Sequence, residues 1–132
     1  MITLEEPLTT WLLLLGRIGL AAVFLVSAVH KAFWYQKAVD EFRVDGIPLI
    51  PVTLPATILL HTFAPIAIIA GVFVVEAALA LAVFTVLATV KVHNFWAMEG
   101  QQRLIISRVA MANFAVAGGL LVLAATAATA LP

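Results

Sequence analysis

No cysteine occurs in these 132 residues, which excludes disulfides, thiolate metal sites and cysteine-ligated iron–sulfur clusters together. Charge is scarce as well: Asp, Glu, Lys and Arg make up 11% of the chain, seven acidic against seven basic, for a formal net charge of zero. There is no basic run and no interleaving of aromatic with basic side chains, so nothing points to nucleic acid. Long polar stretches are missing too. That leaves no segment large enough for a soluble catalytic domain, and no flavin motif is found.

What is present is apolar. The chain is 64% hydrophobic with a mean hydropathy of +1.16. Four runs, 11–31, 53–72, 75–92 and 104–125, come close to the roughly 20 residues a helix needs to cross a bilayer at about 1.5 Å per residue. The expectation is an all-α fold: a four-transmembrane-helix bundle in contact with the lipid bilayer, one integral membrane domain over residues 1–132. A cleaved signal peptide is not expected. The leader Met-Ile-Thr-Leu-Glu-Glu-Pro is acidic, and no small-x-small site precedes His30 and Lys31.

Positive charge is placed asymmetrically. Apart from Arg17, the basic residues fall in two clusters: Lys31, Lys37 and Arg43, then Lys91, Arg103 and Arg108. With four crossings both clusters lie on one side, and the positive-inside rule makes that side cytoplasmic and puts both termini outside. Between the first two runs, Trp34, Ala38 and Phe42 recur at i, i+4, i+8 while Lys37, Asp40, Glu41 and Arg43 cover the other side. This spacing predicts a short interfacial helix over about residues 33–44. Gly46 ends it, and Pro48 and Pro51 keep the chain extended. Trp34, Tyr35 and Trp96 fit an inner aromatic belt and Trp11 an outer one.

Polar residues inside the runs are the candidate functional positions. Arg17 sits about 9 Å below the outer boundary, where an unpaired guanidinium is costly. Glu76, in the turn between runs 2 and 3, is the expected partner in a structural charge pair. At 100° per residue Arg17, Phe24, Ala28 and Lys31 share one face of the first helix, whereas His30 points elsewhere. His61 lies roughly 12 Å deep in the second run, and Asn113 reaches a similar depth in the fourth. Pro65, lacking an N–H, frees a carbonyl near His61. Lys31 stands above them at the boundary. Lys31, His61 and Asn113 are therefore the candidate site for a quinone or lipid headgroup; the alternative is that His61 and Asn113 bond to each other and tie helices together.

His93-Asn94-Phe95-Trp96 closes the third run as an interfacial motif. A bis-histidine haem requires two imidazoles at matched height. His30 and His93 share the inner boundary, but His30 faces away from the Arg17 and Lys31 face, so haem is disfavoured. No metal site is expected, since no second ligand stands at helical spacing from any histidine.

Arg17, Phe24, Ser27 and Lys31 in the first run, Gly46-Ile47-Pro48, Gly71 in the hairpin, His93-Asn94-Phe95-Trp96, and Asn113 followed by Gly118-Gly119 together resemble the DoxX family of small four-helix bacterial membrane proteins. The resemblance covers nearly the whole chain. Members commonly carry a Glu about ten residues before the hairpin Gly; here that position is His61, a group that titrates near neutrality rather than a carboxylate. The basic residue often found at the hairpin is absent, with Glu76 in that region instead. The resemblance implies a place in the bacterial inner membrane and membrane redox chemistry, linked to quinone-coupled sulfur oxidation and oxidoreductase complexes.

Three functions are consistent with this. The first is an integral membrane subunit or accessory protein of a quinone-linked redox complex, without catalytic chemistry of its own and held by membrane protein partners or as a homo-oligomer. The second is a stand-alone quinone-reducing oxidoreductase, which needs a redox centre that the sequence does not supply. The third is a small transporter or channel subunit built on His61, Asn113 and Arg17, although no inverted repeat is visible. The first reading is preferred.

Overall fold

In hydrocarbon no water satisfies backbone N–H and C=O groups, and a helix satisfies them within a single segment. The computed structural model describes residues 5–130; Met1 to Leu4 of the acidic leader lie outside them. It is all-α, in the order α1 (Glu6–Phe33), α2 (Tyr35–Val44), α3 (Ile50–Ala70), α4 (Val74–Val92), a 3-10 turn (Phe95–Ala97) and α5 (Gly100–Thr129). Among the described residues four helices are long and apolar enough to cross a membrane: α1, α3, α4 and α5.

Local chemistry sets the ends. α1 starts with Glu6 and Pro7 in its first turn and finishes with His30 and Lys31 in its last, complementing the helix dipole at both ends. Trp34, at φ −112° and ψ 53°, breaks the chain between α1 and α2. α3 stops at Gly71, whose φ of +77° is left-handed. There the Val72 N–H bonds the Ala67 carbonyl at 3.0 Å and the Gly71 N–H bonds that of Ile68 at 3.2 Å, a Schellman closure that a glycine makes without steric cost. α5 begins at Gly100, before the apolar run at Leu104. Its 30 residues make a helix of about 45 Å, well beyond the roughly 30 Å of hydrocarbon. Its first turn, with Gln101, Gln102 and Arg103 exposed, extends past the apolar layer.

Helices α4 and α5 pack most extensively, α1 packs on α3, and α3 joins the two pairs; α1 and α5 touch little. Where they do meet, a Cβ on Gly119 would stand 3.1 Å from Leu20 Cδ2, so the absence of a side chain there sets the approach. The main core lies toward the α3–α4 hairpin, with Ile68, Leu81 and Leu120 at 0% exposure. A smaller cluster of Ala38, Phe42 and Leu54 fixes the apolar face of α2 on α3.

The basic residues apart from Arg17 gather at the α2 end. The loops there come together: a Cβ on Gly46 would lie 3.9 Å from Lys91 Nζ. Large apolar side chains such as Leu15, Val26, Leu59, Phe63, Val83, Leu87 and Val122 are exposed on the bundle surface, as expected of faces turned to lipid rather than to water.

Candidate functional site

A cavity of about 200 Å³ is lined by Val23, Phe24 and Ser27 of α1, His61 of α3, Phe84, Thr85 and Ala88 of α4, His93, and Asn113 and Val116 of α5. All four long helices contribute. His61 is its centre. It is 5% exposed, and Phe24 and Phe84 meet its ring edge-on, with centroids 5.2 Å and 4.6 Å away. These contacts fix the imidazole plane. Nδ1 lies 3.2 Å from Ser27 Oγ; Nε2 is buried without a partner. Pro65, one turn later and buried, has no N–H to return to the His61 carbonyl.

His93 is the second imidazole of the cavity. It ends α4, its N–H bonded to the Thr89 carbonyl at 2.9 Å. Its Nδ1 is also buried without a partner. Asn113 is half-buried and lines the same cavity, and no hydrogen bond joins it to His61, so the expectation of a direct interhelical bond is not met. Thr85, which could have offered a hydroxyl, gives it to the Leu81 carbonyl at 2.7 Å. His61, His93 and Asn113 therefore line one chamber with apolar walls, and each imidazole keeps one buried ring nitrogen without a partner. Orphaned buried nitrogens are costly unless a ligand or water meets them.

Lys31 is placed differently from His61 and Asn113. It does not line the inner cavity. It lines a second one of about 520 Å³ at the α1–α2 elbow, with Val23, Val26, Ser27, His30, Trp34, Lys37, Ala38 and Glu41. Its ammonium donates to Ser27 Oγ, the same atom that meets His61. From sequence, Ser27 was legible only among the residues of the DoxX resemblance; as the link between the two cavities it had no signal beyond its i, i+4 spacing to Lys31.

The Arg17–Glu76 pair is not formed. Among the described residues the ion pair is Arg43–Asp40, at 3.0 Å. Glu76 is exposed in the first turn of α4, where a helix N-terminus already favours an anion. Arg17 reaches the hairpin instead: its Nη1 would be 3.3 Å from a Cβ on Gly71, and its buried Nε has no partner. Both residues lie toward the hairpin end of the bundle, but no ion pair joins them.

Of the interfacial motif, His93 turns inward as described. Asn94 precedes the 3-10 turn and its carbonyl accepts from the Ala97 N–H at 3.0 Å. Phe95 and Trp96 stack edge-on at 5.4 Å, with Trp96 exposed. His30 is exposed and stacks edge-on against Trp34 at 5.3 Å. It opens on the elbow cavity, not on the chamber that holds His93, so the two do not form a pair.

Four apolar helices around a partly polar chamber define a small multi-pass membrane protein of the helical-bundle class. Over residues 12–94, well over half of its length, the chain matches DoxX and belongs to that family. The match ends at Asn94, so α5, with Asn113 and Gly118-Gly119, lies outside it, a shorter reach than the near-complete resemblance expected. No curated protein and no solved structure matches the chain.

Proposed function

We propose that this DoxX-family protein is an integral membrane subunit or accessory protein of a quinone-linked redox complex in the bacterial inner membrane, with both termini outside. In this reading His61, His93 and Asn113 hold the quinone headgroup, and the chain binds rather than performs the redox chemistry. One observation carries it: His61 and His93 line one chamber, and each has a buried ring nitrogen, Nε2 of His61 and Nδ1 of His93, without a partner. A quinone oxygen accepts from an imidazole or carboxamide N–H, and a quinol hydroxyl donates to an imidazole nitrogen, so the donor set suits either form.

Size supports a headgroup over a whole ligand. The chamber's 200 Å³ is below the roughly 300–1,000 Å³ that encloses a drug-sized molecule, which leaves the tail outside. Beside it runs an apolar groove of about 400 Å³ between α2, α3 and α4, which shares the walls Phe84 and Ala88 with the chamber. That groove offers a bed for an isoprenoid tail. The basic loops gathered at the α2 end support the orientation, and Arg17 at the hairpin end, in no ion pair among the described residues, leaves a position for an acidic residue of a membrane partner.

The test is chemical extraction. Protein isolated in its native lipid patch is extracted with organic solvent and the extract chromatographed, while the copurifying chains are identified. The proposal expects quinone enriched over the surrounding membrane, lost in the His61→Leu variant, together with subunits of a redox complex. Quinone at bulk membrane level, unchanged by the substitution, contradicts it.

A further inference from the structure

Two cavities of different character adjoin at α1. The elbow cavity carries the charged groups Lys31, Lys37 and Glu41 and the imidazole of His30. The inner chamber carries His61 and His93. Val23 and Ser27 line both. Val23 is apolar, so the polar link between the cavities is Ser27 alone.

The bonds at Ser27 run in one line. Lys31 Nζ donates to Ser27 Oγ, and Oγ stands 3.2 Å from His61 Nδ1. A hydroxyl donates and accepts at once, whereas an ammonium only donates. With Lys31 donating to it, Ser27 is free to donate its own proton to Nδ1. The other ring nitrogen of His61, Nε2, is buried and unpartnered, on a residue that lines the inner chamber. A bond that merely tied α1 to α3 would need neither a lysine behind the serine nor a vacant nitrogen ahead of it.

We infer that Lys31, Ser27 and His61 form a hydrogen-bonded relay that carries protons between the charged elbow cavity and the buried chamber. Lys31 gives a proton to Ser27 Oγ as the Ser27 hydroxyl proton passes to His61 Nδ1. The hydroxyl is intact afterwards, Lys31 is a neutral amine and His61 an imidazolium. A hydronium ion reaching the elbow cavity from bulk water returns the proton to the amine and leaves as water, so the net change is one proton moved from bulk solvent to the ring, available at Nε2. Running the transfers backwards restores the start. His30, Lys37 and Glu41 face the outer end of this path and His93 the inner end. The inference rests on the headgroup reading for its purpose, a proton source at a site where a quinone takes up or releases protons. Its test needs no quinone.

The protein is labelled with 15N-histidine, reconstituted in lipid nanodiscs without quinone, and the exchange of the His61 ring proton with water is measured by NMR. His30→Gln and His93→Gln variants assign the three ring signals. Ser27→Ala is expected to slow His61 exchange by about 100-fold, the scale on which a positioned proton-transfer group acts. Lys31→Met should slow it similarly, and Ser27→Thr, which restores a hydroxyl and reports on folding, should return it toward the native rate. Unchanged or faster exchange in Ser27→Ala overturns the relay, because water then reaches the ring by another path. So does a slow rate that Ser27→Thr leaves slow although the bundle is folded. Loss of quinone binding with the exchange pattern intact would sink the headgroup reading and leave the relay standing.

Discussion

Replacing His61 with leucine separates what the ring does for the fold from what it does for a ligand. The substitution removes the bond to Ser27, worth about 1 kcal/mol between membrane helices. It also removes two edge-on contacts, with Phe24 and Phe84, at roughly 0.5–1.5 kcal/mol each. Against that, the orphaned Nε2 disappears, which offsets about 1–3 kcal/mol of desolvation. The net change in stability falls between a small gain and about 3 kcal/mol of loss, so the bundle should fold. Binding has no such offset. A quinone oxygen left without its donor in the chamber costs about 1–3 kcal/mol, or about 5- to 150-fold in Kd. The assay is titration of a short-tailed quinone analogue into native and variant protein in nanodiscs, beside thermal unfolding followed by circular dichroism. A folded variant that binds the analogue with native affinity refutes the reasoning.

Other outcomes follow from the same structure. Gly71→Ala forces a side chain into a left-handed backbone and against Arg17 Nη1; it should cost about 1–2 kcal/mol, read as a lower unfolding midpoint. Leu81→Ala, at the centre of the hairpin-end core with 0% exposure, should cost about 2–5 kcal/mol in the same assay while leaving quinone-analogue affinity within a few-fold. A reporter fused at the C-terminus should behave as periplasmic, since the basic loops lie at the opposite end of the bundle; a cytoplasmic signal would reverse the orientation.

The bilayer made most of the fold legible. Backbone satisfaction admits helices there, so apolar runs, Gly71 and the Trp34, Ala38, Phe42 spacing sufficed to place five helices. Depth along a helix was readable from residue number, and it brought His61 and Asn113 to one level. Azimuth was not. Arg17 and Glu76 share an end of the bundle yet form no ion pair, and nothing in a single sequence says how each helix is turned against its neighbours. His93 was hidden for another reason: it sits at a helix end near Trp96, where a histidine resembles a headgroup anchor, and its place in the chamber lining shows only in the assembled bundle. Ser27 carried no distinguishing pattern, since one serine on an apolar helix reads as small-residue packing until its two partners are seen.

The central claim is that His61 and His93 share a quinone headgroup within one chamber. The most direct measurement is the 15N-histidine spectrum of the nanodisc-embedded protein as a short-tailed quinone analogue is added. Saturable shifts are expected at the ring nitrogens of both His61 and His93, with His30 unmoved at the exposed elbow. Shifts confined to His30, or none at saturating analogue, would contradict it.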